Sequence, residues 1–139
     1  MQAPQRIVYH KAARELELAW ASMTYRLSSE FLRVHSPSAE VRGHSPAERT
    51  LQTGKKHVAI QKVEPIGKYA IRLCFDDGHD SGIYAWPFLL KLCEQQSTLW
   101  ERYLQELKAA GQSRDPETSV LRWEPNPVAT NIKDAPDQP

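Results

Sequence analysis

Cysteine is nearly missing from this sequence. Two residues, Cys74 and Cys93, stand among 139, too few for a disulfide framework. Both lie in apolar segments and read as small buried hydrophobes in a reducing compartment. Long hydrophobic runs are missing as well, since none approaches the roughly 20 residues a membrane-spanning helix needs. The first residues carry no basic segment followed by an apolar stretch, so no secretory signal is expected. Nor does charge of one sign accumulate. Eighteen lysines and arginines stand against seventeen acids, for a formal net charge of +1. That balance gives no field to hold nucleic acid or an anionic membrane surface. The expected setting is cytoplasmic.

The motifs of common enzymes are absent too. Gly54-Lys55-Lys56 lacks the frame of a phosphate-binding loop, and no dinucleotide fingerprint occurs. Ser36 and Ser38 are without a Gly-x-Ser-x-Gly elbow. Trp86 and Tyr84 have no basic groove beside them and read as core rather than as a stacking platform. No enzyme is expected on these grounds.

What is present suits one soluble domain, with 40% apolar and 25% charged residues. Its centre is the stretch Ile71 to Leu92. Ile71, Leu73 and Phe75 alternate with Arg72 and Cys74, the period of a half-buried strand. Asp76-Asp77-Gly78 supplies a tight turn, and after His79-Asp80-Ser81-Gly82 the chain returns through Ile83 and Tyr84. Trp86-Pro87 then opens a helix, with proline where its missing N–H costs nothing.

An earlier stretch echoes this unit. Arg6 to Tyr9 and Glu15 to Trp20 read as strands, with Leu16, Leu18 and Trp20 on one face. Thr24 to Leu27 is a second short strand, and Ser28 or Ser29 caps a helical turn carrying Phe31 and Leu32. Two units of strand, turn, short strand and helix result, able to pair into one sheet. Between them, Val34 to His44 reads as a helical turn with Ser36 as cap, Pro37 first and Gly43 ending it. Val58, Ile60 and Val63 make a strand ending at the Glu64-Pro65-Ile66-Gly67 turn. Thr98 to Glu101 reads as a capping box before a helix with Leu99, Tyr103, Leu104 and Leu107 on one stripe, stopped by Gly111.

The expected fold is α+β: a small antiparallel β-sheet domain of two hairpin-helix units over residues 6–111, with a C-terminal helix. Residues 112–139, with five prolines, form a largely extended tail. Within it Val120, Leu121 and Trp123 are expected to dock on the domain, with docking on a partner as the alternative.

Two places can carry chemistry. His79 lies among Asp76, Asp77 and Asp80, where an imidazole can bind a metal or act as a base. His35 and His44 flank the Ser-Pro turn, and three imidazoles with a carboxylate would suit zinc or iron.

Three segments together resemble the DUF971 family, described as the gamma-butyrobetaine hydroxylase-like N-terminal domain. They are Phe31-Leu32-Arg33-Val34-His35-Ser36-Pro37-Ser38-Ala39-Glu40-Val41-Arg42-Gly43-His44, then Gly67-Lys68-Tyr69-Ala70, then Phe75-Asp76-Asp77-Gly78-His79-Asp80-Ser81-Gly82-Ile83-Tyr84-Ala85-Trp86. The resemblance covers residues 6–95 and implies a small α+β domain on antiparallel sheet, here as a stand-alone, bacterial-type copy. In carnitine-pathway dioxygenases such a domain precedes the catalytic jelly roll and holds zinc through a Cys-x-Cys-x-x-Cys cluster and a later histidine. Those positions fall here on Ser36, Ser38, Val41 and His79, so three of the four ligands are replaced. The oxygenase domain has no counterpart in the remaining length, and hydroxylase activity is not implied. Domains of this type also accompany P-loop carriers of iron-sulfur clusters, which implies an accessory role in iron or iron-sulfur handling.

The first expectation is therefore a non-catalytic binding module with a protein partner. Its surface is drawn from Ser36, Ser38, Arg42, His44, Asp76, Asp77, His79 and Asp80. The alternative is an iron or zinc protein using His79 with His35 or His44 and a nearby aspartate. A small hydrolase ranks third.

Overall fold

A computed structural model describes residues 1–43 and 48–116. His44 and the tail residues Val120, Leu121 and Trp123 lie outside them. The first unit is a meander of β1 (Arg6–His10), β2 (Glu15–Trp20) and β3 (Met23–Ser28), which runs directly into α1 (Ser29–Val34). Leu16 and Leu18 of β2 and Leu27 of β3 point into the core while their neighbours face out, as the period-2 pattern dictates. Ser28 caps α1, its hydroxyl accepting the Phe31 N–H at 3.0 Å.

The second unit repeats the order. β4 (Ile60–Ile66), β5 (Ala70–Phe75) and β6 (Gly82–Ala85) form a separate antiparallel sheet, with Val63 opposite Leu73 and Ile71 opposite Tyr84. Gly78 takes φ +90° in the bend after β5, a conformation open to glycine. α3 (Trp86–Glu94) follows β6 without a linker, with Pro87 in its first turn. α4 (Gln96–Ala109) closes the domain.

The two units do not merge into one sheet. Each is a three-stranded meander that packs by its apolar face. Leu16, Leu18, Leu27 and Phe31 of the first share one core with Ile71, Leu73, Tyr84 and Leu89 of the second. A hydrogen bond also crosses between them, braced by two more within the first unit. The Tyr9 hydroxyl accepts from Ile60 N–H at 3.0 Å and donates to Ser29 Oγ at 3.1 Å, while the Ser29 hydroxyl donates to the Arg14 carbonyl.

Four local expectations shift. α2 (Ala39–Arg42) begins two residues later than the serine-proline signal suggests. Ser38 stands at its N-cap position, without a side-chain cap bond, and Ser36 is used elsewhere. α4 starts at Gln96, ahead of the supposed Thr98 capping box, with no side-chain cap at its N-terminus. Its buried stripe is Tyr103 and Leu107 with half-buried Leu99 and Trp100, whereas Leu104 is exposed. Of the two free thiols, Cys93 is buried and Cys74 only half-buried. Gly111, at φ +66°, ends the helix as expected. The chain then folds back: Gly54 N–H donates to Ser113 O, and Arg114 grips buried Glu30 at 2.7 and 2.9 Å. Residues 113–114 are thus docked on the domain rather than loose.

Candidate functional site

The end of α1, the short α2 and the β5–β6 bend meet at one corner of the domain. His79 is at its centre, 7% exposed. Ser36 Oγ lies 2.8 Å from His79 Nε2, and Ser38 Oγ lies 3.4 Å from the same atom. On the other side of the ring, Glu40 Oε1 is 3.2 Å from Nδ1. A carboxylate only accepts, so Nδ1 carries the proton and Nε2 accepts the Ser36 O–H. Burial lowers the His79 pKa from its ordinary 6.5, and the Arg33 charge pushes the same way. Glu40 and Asp77 oppose them. The imidazole is held neutral, with both nitrogens engaged.

Asp77 supports the bend from beneath. Its Oδ1 accepts the His79 backbone N–H at 3.1 Å, and its Oδ2 accepts Arg33 Nε at 2.8 Å and Lys55 Nζ at 2.6 Å. Burial alone would raise its pKa, but Lys55, the His79 N–H and Arg33 outweigh that and hold it at about 2. Arg33 is itself buried, its side chain 9% exposed, and Gln52 Oε1 takes a second of its N–H groups. Asp76 Oδ1 accepts the Ala59 N–H, while Asp80 stands exposed near Arg72.

Serine, imidazole and glutamate stand in the order of a nucleophilic triad. Ser36 is 1% exposed, and a Cβ placed on Gly82 would come within 2.5 Å of its Oγ and 3.0 Å of the Tyr84 ring. Gly82 is therefore packed directly against the Ser36 hydroxyl.

Zinc fits no better. At the positions that correspond to the family's ligands stand two hydroxyls, the buried isopropyl group of Val41 and one imidazole whose lone pair is taken by Ser36. Serine hydroxyls remain protonated at neutral pH and valine has no donor atom, so the residues present do not suit the metal. His35 belongs to another environment. Its Nδ1 lies 2.9 Å from the Phe31 carbonyl, and its ring packs against Phe31 and Tyr103, with centroids 4.6 and 6.4 Å away. Among the described residues no group of three His, Cys, Asp or Glu converges as a metal requires. His44 lies outside them.

Of the sequence candidates, Ser36, Ser38, Asp77 and His79 come together, Arg42 is nearby on α2, and Asp76 and Asp80 flank the bend. Glu40 and Arg33 are members of the corner that sequence patterns do not reach. An exposed helical glutamate carries no local mark, and the arginine reads as surface charge until Asp77 is placed beside it.

Beside this corner a groove of about 200 Å³ runs between α2, α3 and α4 and reaches Ser36. Val41, Phe88, Leu92 and Leu99 make its apolar floor. The Arg42 guanidinium lies 4.9 Å from the centre of the Phe88 ring, a favourable cation–π contact. Among the described residues, no helix is long and apolar enough to cross a membrane.

Comparison with known proteins agrees with this architecture. Residues 7–90 match the family model described as gamma-butyrobetaine hydroxylase-like, N-terminal. A protein solved by NMR is 50% identical, with TM-score 0.76, over 88% of this chain and 98% of its own. A second NMR structure is 40% identical, with TM-score 0.72, over 91% and 95%. A crystal structure of a DUF971-family protein of unknown function from Acidithiobacillus ferrooxidans is 39% identical, with TM-score 0.55, over 64% and 90%. No curated protein matches the chain. With more than half its length matched by the family model, this chain belongs to the gamma-butyrobetaine hydroxylase-like N-terminal (DUF971) family.

Proposed function

We propose that this protein is a non-catalytic accessory module that works by binding another protein. One observation carries the reading: the polar side chains of the corner saturate one another. Ser36, His79 and Glu40 form a closed chain, and Asp77 is spent on Arg33, Lys55 and the His79 N–H. Groups so engaged hold two units in register and leave none at hand for a substrate. What remains outward is Arg42 of α2 with Asp76 and Asp80 of the bend, a polar surface on a base tied together by these bonds. Iron-sulfur handling is the process in which such a module would serve, through contact with a carrier rather than through ligands of its own.

Three measurements test this. Protein purified without chelator should hold no stoichiometric iron or zinc by elemental analysis. Ser36 should take up no fluorophosphonate, read by intact mass. A partner copurifying from the native host should be lost on reversing Arg42 or Asp80. Stoichiometric metal that disappears in His79→Ala would establish the metal-binding reading instead, and a phosphonyl adduct on Ser36 would revive hydrolysis.

A further inference from the structure

We propose that the groove between α2, α3 and α4 docks an acidic segment of the partner protein, with one bulky apolar side chain seated in the cavity. The proposal rests on the reading of the protein as a binding module and specifies what it binds.

Charge complementarity chooses the occupant. Arg42, Arg49, Lys91 and Arg102 line the groove, against one carboxylate, Glu106. Glu106 is already matched, since Arg49 Nη2 donates to its two oxygens at 2.6 and 2.5 Å. Among the lining residues three cations therefore exceed the acid, in a chain whose net charge is only +1. They come from separate elements, α2, α3 and α4, and surround apolar side chains. Arginine rims read acidic motifs well, because the guanidinium fork matches a carboxylate in geometry as well as charge.

Size decides the rest. About 200 Å³ falls below the roughly 300–1,000 Å³ typical of sites that enclose a drug-sized ligand or cofactor. It suits a single aromatic or branched side chain, the anchor that dominates many protein interfaces. Arg42 over Phe88 widens the apolar ledge such an anchor would meet.

Fluorescence anisotropy of the full chain with a fluorescein-labelled Asp-Glu-Trp-Leu-Glu-Asp peptide tests the proposal. Saturable binding is expected with a dissociation constant between about 1 mM and 1 μM, weakening as salt rises. Amide shifts in NMR spectra should centre on Phe88, Lys91, Leu92 and Leu99. Arg42→Glu, Lys91→Glu and Arg102→Glu, all at exposed positions, should each weaken binding about tenfold. The same peptide with lysines for its acids, or serines for Trp and Leu, should not bind. Absence of saturable binding, indifference to all three reversals, or shifts on another face would overturn the proposal. So would a gain in affinity on Trp123→Ser, which would assign the groove to the chain's own end. Metal content and fluorophosphonate labelling judge the binding-module reading separately.

Discussion

Ser36 and His79, 43 positions apart in the chain, share a buried hydrogen bond of 2.8 Å, and through it the first unit of the fold is fastened to the bend of the second. Removing either partner takes from the other, itself buried, its shortest hydrogen bond, with only contacts of 3.4 Å to Ser38 left in its place. Ser36→Ala and His79→Ala should each cost about 1–3 kcal/mol, and the double variant should cost less than the two combined, by a coupling of about 0.5–3 kcal/mol. Urea unfolding of the four proteins measures the cycle. Strict additivity would mean that the bond holds nothing together.

Gly82 adjoins the same hydroxyl. Its φ is not in the left-handed region, so backbone freedom is not the reason for glycine there. Space is. A methyl group would press on Ser36 Oγ and on the Tyr84 ring, and overpacking of this kind costs about 1–3 kcal/mol. Gly82→Ala should therefore destabilise the protein, and less so when made in Ser36→Ala, where one of the two obstacles is gone. An equal penalty in both backgrounds, read by thermal unfolding, would place the clash at Tyr84 alone.

Much of the scaffold was legible because its signals are local. Alternation along Ile71 to Phe75, the Ser28 cap, the turn at Gly78 and Pro87 at a helix start each depend on residues a few positions apart. The site was legible only in its members. Ser36 before Pro37 gives the same local signal whether its hydroxyl caps a helix or bonds a histidine in another unit, and the tertiary partner decided. Arg33, Glu40 and the groove share that difficulty, since each takes its meaning from segments brought together by folding. The separation into two sheets escaped notice for a related reason: period-2 patterning identifies strands without naming their neighbours.

Arg33 and Asp77 provide the third prediction. The guanidinium is largely covered, while the carboxylate retains 21% exposure and shares Lys55. Asp77→Asn keeps an acceptor for the His79 N–H but removes the charge opposite two cations. The loss should be on the order of 2 kcal/mol, below that of a fully buried pair because solvent reaches the site. Denaturant unfolding gives the value, and a further Arg33→Met substitution should recover part of it by removing the stranded charge.

Acid should loosen the fold in two stages, and the sign follows from the direction of each shift. His35 and His79 both have pKa values lowered from 6.5, chiefly by burial, so the native state resists the protons that the unfolded chain accepts. Their contribution is fully present above about pH 6.5 and is lost as the pH falls through that value and on through the lower folded ones. The slope can reach at most about 1.4 kcal/mol per pH unit for each histidine. For His79 the resisting neighbours are Arg33 and the dry surroundings, with Glu40 and Asp77 opposing. For His35 burial is opposed by the Phe31 carbonyl and Glu106. Asp77, held at about 2, remains ionised through this stage, and its contribution disappears only as the pH drops from about 3.8 toward 2. Urea midpoints taken from pH 8 to 5 should therefore be flat at first and then decline, and His79→Gln should reduce the decline without abolishing it. A protein whose stability rises on acidification through pH 6 would show that the corner favours the imidazolium, and the neutral, doubly engaged His79 described above would be wrong.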